Sequence, residues 1–139
     1  MTDECDRLFV LLHHLTADGE HYDLCLEAGE KLATWRLPRQ AGAPPESLGT
    51  GPLEARRLAD HRRAYLDYEG PIGGDRGRVI RIDRGPLTIH EASDTRWTFR
   101  LQGACLNGMY RLSARPGTSD LWSFARLEDP GQGIKAGRA

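Results

Sequence analysis

Lysine is nearly missing from this chain of 139 residues, which carries it only at Lys31 and Lys135. Nineteen Lys and Arg side chains oppose twenty Asp and Glu side chains, so the formal net charge is −1. Such a chain has no global electrostatic attraction to nucleic acid. Any binding to phosphate must therefore rest on a local patch, in which arginine offers bidentate hydrogen bonds.

Cysteine is also scarce. Cys5, Cys25 and Cys105 are odd in number and have no paired spacing, which argues against a disulfide framework and a CxxC zinc module. Unpaired thiols are typical of a reducing compartment. We therefore expect a cytoplasmic protein.

Long apolar runs are absent from the sequence. The apolar run near the N-terminus is too short for a signal peptide and lacks a basic region before it. No segment has the length of a membrane span. We expect a soluble protein without a membrane partner, in which residues 1–129 form one domain and the glycine-rich tail 130–139 is disordered.

Short strand-like runs recur between turn-forming residues. They cover residues 8–12, 21–26, 32–37, 78–82, 87–90, 97–101, 109–114 and 121–127. Many short strands joined by tight turns favour an antiparallel barrel or sandwich. The predicted fold is mainly β: a compact, antiparallel, barrel-like single domain with one or two short helices.

Three connections carry further predictions. Asn107-Gly108 is typical of a two-residue hairpin turn. The proline-rich and glycine-rich stretch 39–52 predicts a long surface loop. Residues 53–68 fit either a helix or a strand that ends at His61 and is followed by one helical turn, and periodicity does not separate these two.

The segment from His21 to Glu27 alternates polar and apolar residues. In a strand, His21, Asp23, Cys25 and Glu27 would share one face. Imidazole and carboxylate groups are usual ligands of zinc, manganese and iron. Any half-buried strand shows the same alternation, however, so the spacing alone also fits a solvated face.

Several longer motifs occur in a fixed order along the chain. They are Phe9-Val10-x-x-x-His14, His21-Tyr22-Asp23-x-Cys25-Leu26-Glu27, Leu32-x-x-Trp35-x-x-Pro38-Arg39, Asp60-His61-x-x-x-Tyr65-x-x-Tyr68-Glu69-Gly70 and Phe99-Arg100-Leu101-Gln102-Gly103. In this order and spacing, the chain resembles the 3′-phosphoesterase domain of bacterial DNA ligase D, over residues 7 to about 127.

The resemblance implies a β-barrel hydrolase that acts in DNA repair with manganese rather than zinc. Such a domain removes a 3′-phosphate or a terminal ribonucleotide from a nucleic-acid 3′ end. Carried over by position, His14, His21 and Asp23 would hold the metal. His61 would contact the scissile phosphate, and Tyr65 would be an active-site tyrosine.

The chain departs from the family pattern at two site positions. Cys25 takes the place of a phosphate-binding arginine, and Ala59 takes the place of a glutamate. A thiol cannot replace the two hydrogen bonds of a guanidinium group. Arg39 and Arg76 are the candidates that would restore the positive charge at the phosphate.

The spacing of the histidines differs by one residue from the family pattern. A one-residue insertion in the turn after His14 would keep His14 as the metal ligand, and we prefer it to the alternative, His13. Cys25 as a fourth ligand is a further alternative, although a buried structural thiol fits its surroundings better.

Three functions remain open on these residues. The first is a metal-dependent phosphoesterase acting on nucleic-acid 3′ ends, with end-joining or ligase proteins as partners and a monomeric state. The second is a non-catalytic homologue that binds nucleic acid or protein. A hydrolase of small phosphoesters is a third possibility.

Overall fold

Antiparallel strands make up most of the chain. A computed structural model describes residues 7–74 and 76–127. Its strands are β1 (Arg7–Thr16), β2 (Gly19–Ala28), β3 (Lys31–Pro38), β4 (Leu53–Arg62), β5 (Gly70–Pro71), β6 (Arg78–Ala92), β7 (Arg96–Gln102), β8 (Asn107–Ala114) and β9 (Leu121–Leu127).

The strands close into a barrel. Their order is β1-β2-β3-β4-β9-β8-β7-β6, and a further pairing of β1 with β6 joins the two ends. Closure removes the exposed edges that an open sheet would present. The two-residue strand β5 extends the sheet beside β6. The predicted antiparallel β-barrel is therefore confirmed.

The short helices are 3₁₀ turns, at Pro45–Gly49 and Arg63–Leu66. The described residues contain no α-helix. Within the same part of the chain, no helical segment is long and apolar enough to cross a membrane. The predicted tail at 130–139 lies outside the described residues.

Each barrel strand has an inner and an outer face. Phe9 and Leu11 of β1 belong to the inner core, whose largest fully buried side chains include Trp35, Tyr110, Phe99 and Phe124. Alternate residues of β1 and β2 face outward. They contribute to a second buried group, here called the outer cluster, which consists of Val10, Leu12, Cys25, Leu32, Leu66 and Val79.

The ambiguous stretch 53–68 follows the second of its two interpretations. The strand β4 ends at Arg62 and the 3₁₀ turn Arg63–Leu66 follows directly. Leu66 of that turn is buried in the outer cluster. The turn therefore covers part of the barrel's outer face instead of continuing as a free helix.

The prediction of two separate strands within residues 78–90 is wrong. β6 runs without a break from Arg78 to Ala92. It pairs with β1 up to Leu87, and it pairs with β7 from Leu87 onward. The turn-forming residues Gly85 and Pro86 lie where the strand changes partners, which explains the misleading signal.

The predicted hairpin turn at Asn107-Gly108 is also wrong. Both residues belong to β8, where they pair with Gln102 and Leu101 of β7. The connection between these strands is formed by residues 103–106 instead. Its shape depends on a side chain that lies far away in the sequence.

That side chain is Asp83 of β6, which is 5% exposed. Its Oδ1 accepts hydrogen bonds from the backbone N–H groups of Arg84 and Ala104, both at 2.9 Å. Its Oδ2 accepts from the N–H groups of Cys105 at 3.0 Å and Leu106 at 2.8 Å. One buried carboxylate thus satisfies three successive amides of the loop.

We expect Asp83→Ala to lower the free energy of unfolding by about 3 kcal/mol or more, because it leaves several buried amides without an acceptor. Urea unfolding followed by tryptophan fluorescence measures this change. The control Asp94→Ala, in the exposed β6–β7 turn, should change the free energy by less than about 0.5 kcal/mol. Equal losses in the two variants would contradict the assigned role of Asp83.

Candidate functional site

The hairpin of β1 and β2 brings three polar side chains to the barrel's outer face. His14 lies directly opposite His21 in the antiparallel register, and Leu12 lies opposite Asp23. Side chains two residues apart on a strand share a face. His14, His21 and Asp23 therefore meet beside the outer cluster.

The three side chains are close enough to share one cation. His14 Nδ1 lies 3.0 Å from His21 Nε2 and 3.4 Å from Asp23 Oδ2. His21 Nε2 lies 3.4 Å from Asp23 Oδ1. One possible ligand atom from each residue lies within 4.8 Å of the others. Two imidazoles and a carboxylate are a donor set suited to manganese, iron or zinc.

Asp23 is the most buried member of the group, with 2% of the residue exposed. Its Oδ1 is buried and accepts no hydrogen bond from the described residues. A buried carboxylate oxygen is costly unless a charge or a donor compensates it. The residues present therefore fit a divalent cation.

The two histidines differ in their proton affinity. The hydrogen-bonding carboxylate of Asp23 raises the pKa of His14 above its usual value. Burial lowers the pKa of His21 to about 4, so this imidazole is neutral near pH 7 and its nitrogen can bind a metal. His14 Nε2 lies 2.7 Å from the Arg76 carbonyl oxygen. Donation to that oxygen would leave Nδ1 facing Asp23 as the ligand atom.

His13, the alternative ligand, lies on the opposite face of β1. Its Nε2 is 2.8 Å from Glu20 Oε1, and its ring contacts Tyr22 edge to face at 5.8 Å. Tyr22 belongs to the inner core. His13 is thus separated from the cluster of His14, His21 and Asp23.

A cavity of about 330 Å³ opens beside the histidine and aspartate cluster. Its lining includes six residues with polar side chains that matter here: His14, Asp23, Arg36, His61, Tyr65 and Arg76. We call it the main cavity. Five of these six side chains were expected at the site from the sequence, and Arg36 was not.

Glu27 anchors the segment that carries His61 and Tyr65. It accepts a hydrogen bond from the Leu8 backbone N–H at 2.9 Å and another from Arg63 in the 3₁₀ turn. This pairing holds the turn against the barrel. The His61 and Tyr65 rings then lie 5.6 Å apart between their centroids.

His61 Nδ1 lies 3.1 Å from the carbonyl oxygen of Ala59. Donation from Nδ1 to this oxygen fixes the tautomer and leaves Nε2 for contact with a ligand. Ala59 takes part in this hydrogen bond only through its backbone, so its small side chain does not prevent the orientation of the His61 ring. Tyr65 in turn contacts Tyr68 edge to face at 5.7 Å.

Arg76 reaches the main cavity from the glycine-rich loop before β6. Gly77, at φ +88°, packs so closely on the β1–β2 hairpin that a Cβ atom would lie 1.9 Å from the Leu15 carbonyl oxygen. Glycine is required at this approach because it has no side chain and tolerates positive φ. Arg76 Nε donates to the Gly73 carbonyl oxygen at 2.7 Å.

Arg39 is not brought to this site. Its Nη1 pairs with Glu20 Oε1 at 2.9 Å, and it lines a separate cavity together with Tyr22 and residues of the 39–52 loop. Arg36 of β3 lies instead at the site, because it is the direct cross-strand neighbour of Asp23. Sequence reasoning missed Arg36, since the register between β2 and β3 was unknown.

Cys25 shares the outer face with Asp23 but is fully buried in the outer cluster. Burial raises the pKa of its thiol, so the thiolate needed to bind a metal is strongly disfavoured. The thiol packs against apolar neighbours as a structural residue. It supplies neither a metal ligand nor a phosphate contact.

The family model of the DNA ligase D 3′-phosphoesterase domain matches residues 12–114. This match covers well over half of the chain. The chain belongs to this family. No curated protein matches it at a significant level of sequence similarity. The matched region contains the whole cluster of His14, His21 and Asp23, as well as His61 and Tyr65.

The cluster of His14, His21 and Asp23 leads to a prediction about metal binding. We expect His14→Ala and Asp23→Ala each to weaken Mn²⁺ binding by more than about a hundredfold, since even outer-shell partners contribute 10- to 100-fold. Titration of Mn²⁺ with detection of the free ion by electron paramagnetic resonance measures the affinity.

The matched control is His13→Ala, which changes the neighbouring histidine on the opposite face. It should bind Mn²⁺ as the unmodified protein does. If His13→Ala abolished binding and His14→Ala preserved it, the placement of the centre would be contradicted.

Proposed function

We propose that this protein is a manganese-dependent phosphoesterase that removes a 3′-phosphate or a terminal ribonucleotide from nucleic-acid 3′ ends during DNA repair. The observation that carries the proposal is the cluster of His14, His21 and Asp23 beside a cavity that also holds His61. Membership of the DNA ligase D 3′-phosphoesterase domain family supports the reaction class. The reaction in DNA repair would take place in the cytoplasm.

His14, His21 and Asp23 would hold the cation through two nitrogens and one carboxylate oxygen. Held there, a divalent cation would polarise a phosphoryl oxygen and lower the pKa of a water molecule. Manganese is favoured over zinc because carboxylate and water ligands suit it and no thiolate joins the set. Asp23 also balances the positive charge of the cation and of nearby arginines.

The other residues of the main cavity act on the phosphate ester. Water attacks phosphorus and the bond to the 3′ oxygen breaks, so the leaving oxygen must acquire a proton. His61 would donate that proton from Nε2. The Tyr65 hydroxyl and Arg76 would stabilise the negative charge on the phosphoryl oxygens. For a 3′-phosphate end, the products are a 3′-hydroxyl end and inorganic phosphate; for a terminal ribonucleotide, cleavage of the same bond releases the nucleotide and also leaves a 3′-hydroxyl end.

The rival function is a non-catalytic module that binds nucleic acid. Burial of Cys25 favours it, because the residue at this position offers no guanidinium group to the phosphate. The rival predicts Mn²⁺ binding without turnover. An assay on defined 3′ ends separates the two functions.

We expect the protein with Mn²⁺ to convert a 5′-labelled oligonucleotide with a 3′-phosphate into one with a 3′-hydroxyl. His61→Ala should lower the single-turnover rate by about 10²- to 10⁴-fold, the range for loss of general acid catalysis. Denaturing gel electrophoresis separates the labelled substrate from the labelled product by charge. An oligonucleotide that ends in one ribonucleotide tests the second substrate.

His90→Ala is the matched control, since His90 is an exposed residue of β6 outside the main cavity. Its rate should equal that of the unmodified protein. Stoichiometric Mn²⁺ binding without conversion of either substrate would contradict the phosphoesterase proposal and favour the binding module.

A further inference from the structure

Arg36 is the cationic side chain nearest to the buried carboxylate of the metal cluster. Its Nε lies 3.9 Å from Asp23 Oδ1, which is too long for a hydrogen bond. The side chain is 42% exposed overall. Its Nε is nevertheless buried and has no hydrogen-bond partner among residues 7–74 and 76–127.

Arg36 also lies between two cavities. The first is the main cavity with His61 and Tyr65. The second is a shallower cavity of about 580 Å³ beside the β1–β2 turn, which His21 lines. Both cavities share His14, Arg36 and Arg76. An anion bound near the cluster would therefore have two guanidinium groups beside it. Arg36 would approach it from β3, and Arg76 would approach it from the loop before β6.

The charges in this small region need an anion as well as a cation. A divalent ion at Asp23 would outweigh the single negative charge that now attracts Arg36. The ion-loaded cluster and the Arg36 guanidinium would then be two positive groups a few ångströms apart. Such like charges repel unless a negative group lies between them. A phosphoryl group that contacts both would remove the repulsion and satisfy the guanidinium donors.

We propose that Arg36 is the residue that binds the substrate phosphate, together with Arg76 across the cavity. The proposal deepens the proposed function and rests on it for the identity of the ester. Arg36 reaches the phosphate from β3, whereas the residue at position 25 is buried behind Asp23 and cannot reach it. The phosphate-binding arginine would therefore lie in β3 and not at position 25 of β2.

Arg39 is the competing candidate because it directly follows β3 and its Nε also lacks a hydrogen-bond partner among the described residues. Its Nη1, however, pairs with Glu20, and it lines a cavity that shares no residue with the main cavity. Substituting each arginine separately therefore distinguishes the two positions.

The test uses inorganic phosphate as the probe, so that no turnover is needed. Protein in excess over Mn²⁺ holds the ion, and the paramagnetic broadening of the ³¹P signal reports phosphate bound beside it. We expect Arg36→Met to weaken phosphate binding by about 10- to 100-fold, the range for charge-assisted bidentate hydrogen bonds. Arg36→Lys should recover only part of the affinity, because ammonium cannot form the bidentate contact.

Two controls complete the phosphate measurement. Arg39→Met tests the competing position, and Arg96→Met removes an arginine that pairs with Glu91 away from both cavities. Both should bind phosphate as the unmodified protein does. If Arg36→Met also bound phosphate normally, or if the unmodified protein bound none, the proposal would be overturned.

The affinity for Mn²⁺ separates a phosphate contact from a merely structural role. If Arg36 only held Asp23 in place, Arg36→Met would weaken Mn²⁺ binding by tenfold or more, and this would overturn the proposal. If Arg36 grips phosphate, its removal takes away a repelling charge, so Mn²⁺ should bind equally well or more tightly without phosphate.

The test remains distinct from that of the proposed function. A protein that binds phosphate through Arg36 but never trims a 3′ end would support this inference and contradict the phosphoesterase. A protein that trims 3′ ends while Arg36→Met retains full phosphate binding and rate would do the reverse.

Discussion

The antiparallel register between β1 and β2 determines the cluster of His14, His21 and Asp23, on which the rest of the candidate site depends. It sets His14 opposite His21 and leaves Asp23 two residues along on the same face. A slip of one residue in either strand would turn these side chains to opposite faces of the barrel. The two-residue turn that joins the strands and the pairing of β1 with β6 both hold this register.

Electrostatics favours the binding of ions at this site. Asp23 is buried, and its carboxylate is surrounded by two imidazoles and the Arg36 guanidinium. A cation between the imidazoles would compensate the buried charge, and an anion would in turn compensate the arginines. Binding of the metal and of a phosphate would thus reinforce each other, as a phosphoesterase requires.

The outer cluster supports this arrangement mechanically. Cys25 and Leu66 are buried members of this cluster. The ion pair of Glu27 with Arg63 fixes the 3₁₀ turn that follows His61. The Cys25 thiol can be buried among apolar side chains. An arginine at the same position would need hydrogen-bond partners for its guanidinium group. Under the proposed function, Arg36 and Arg76 would have to supply the positive charge that position 25 lacks.

Local patterns predicted part of this molecule correctly. The alternation from His21 to Glu27 gave the correct face of β2, and turn residues gave most of the strand boundaries. Order and spacing of the motifs indicated the family, which the family match confirms.

What the sequence could not reveal were contacts between distant segments. The role of Arg36 depends on the β2–β3 register, and the β7–β8 loop depends on Asp83, more than twenty residues before it. Separation of His13 from His14 likewise required the strand pairing. Each of these features is set by which residues lie opposite each other, and a single sequence does not record that information.

A crystal structure of the protein with Mn²⁺, measured at the manganese absorption edge, tests the central claim most directly. We expect one strong anomalous peak that is directly coordinated by a nitrogen of His14, a nitrogen of His21 and an oxygen of Asp23. A peak held by His13 or Cys25, or none at the cluster despite full loading, would contradict it.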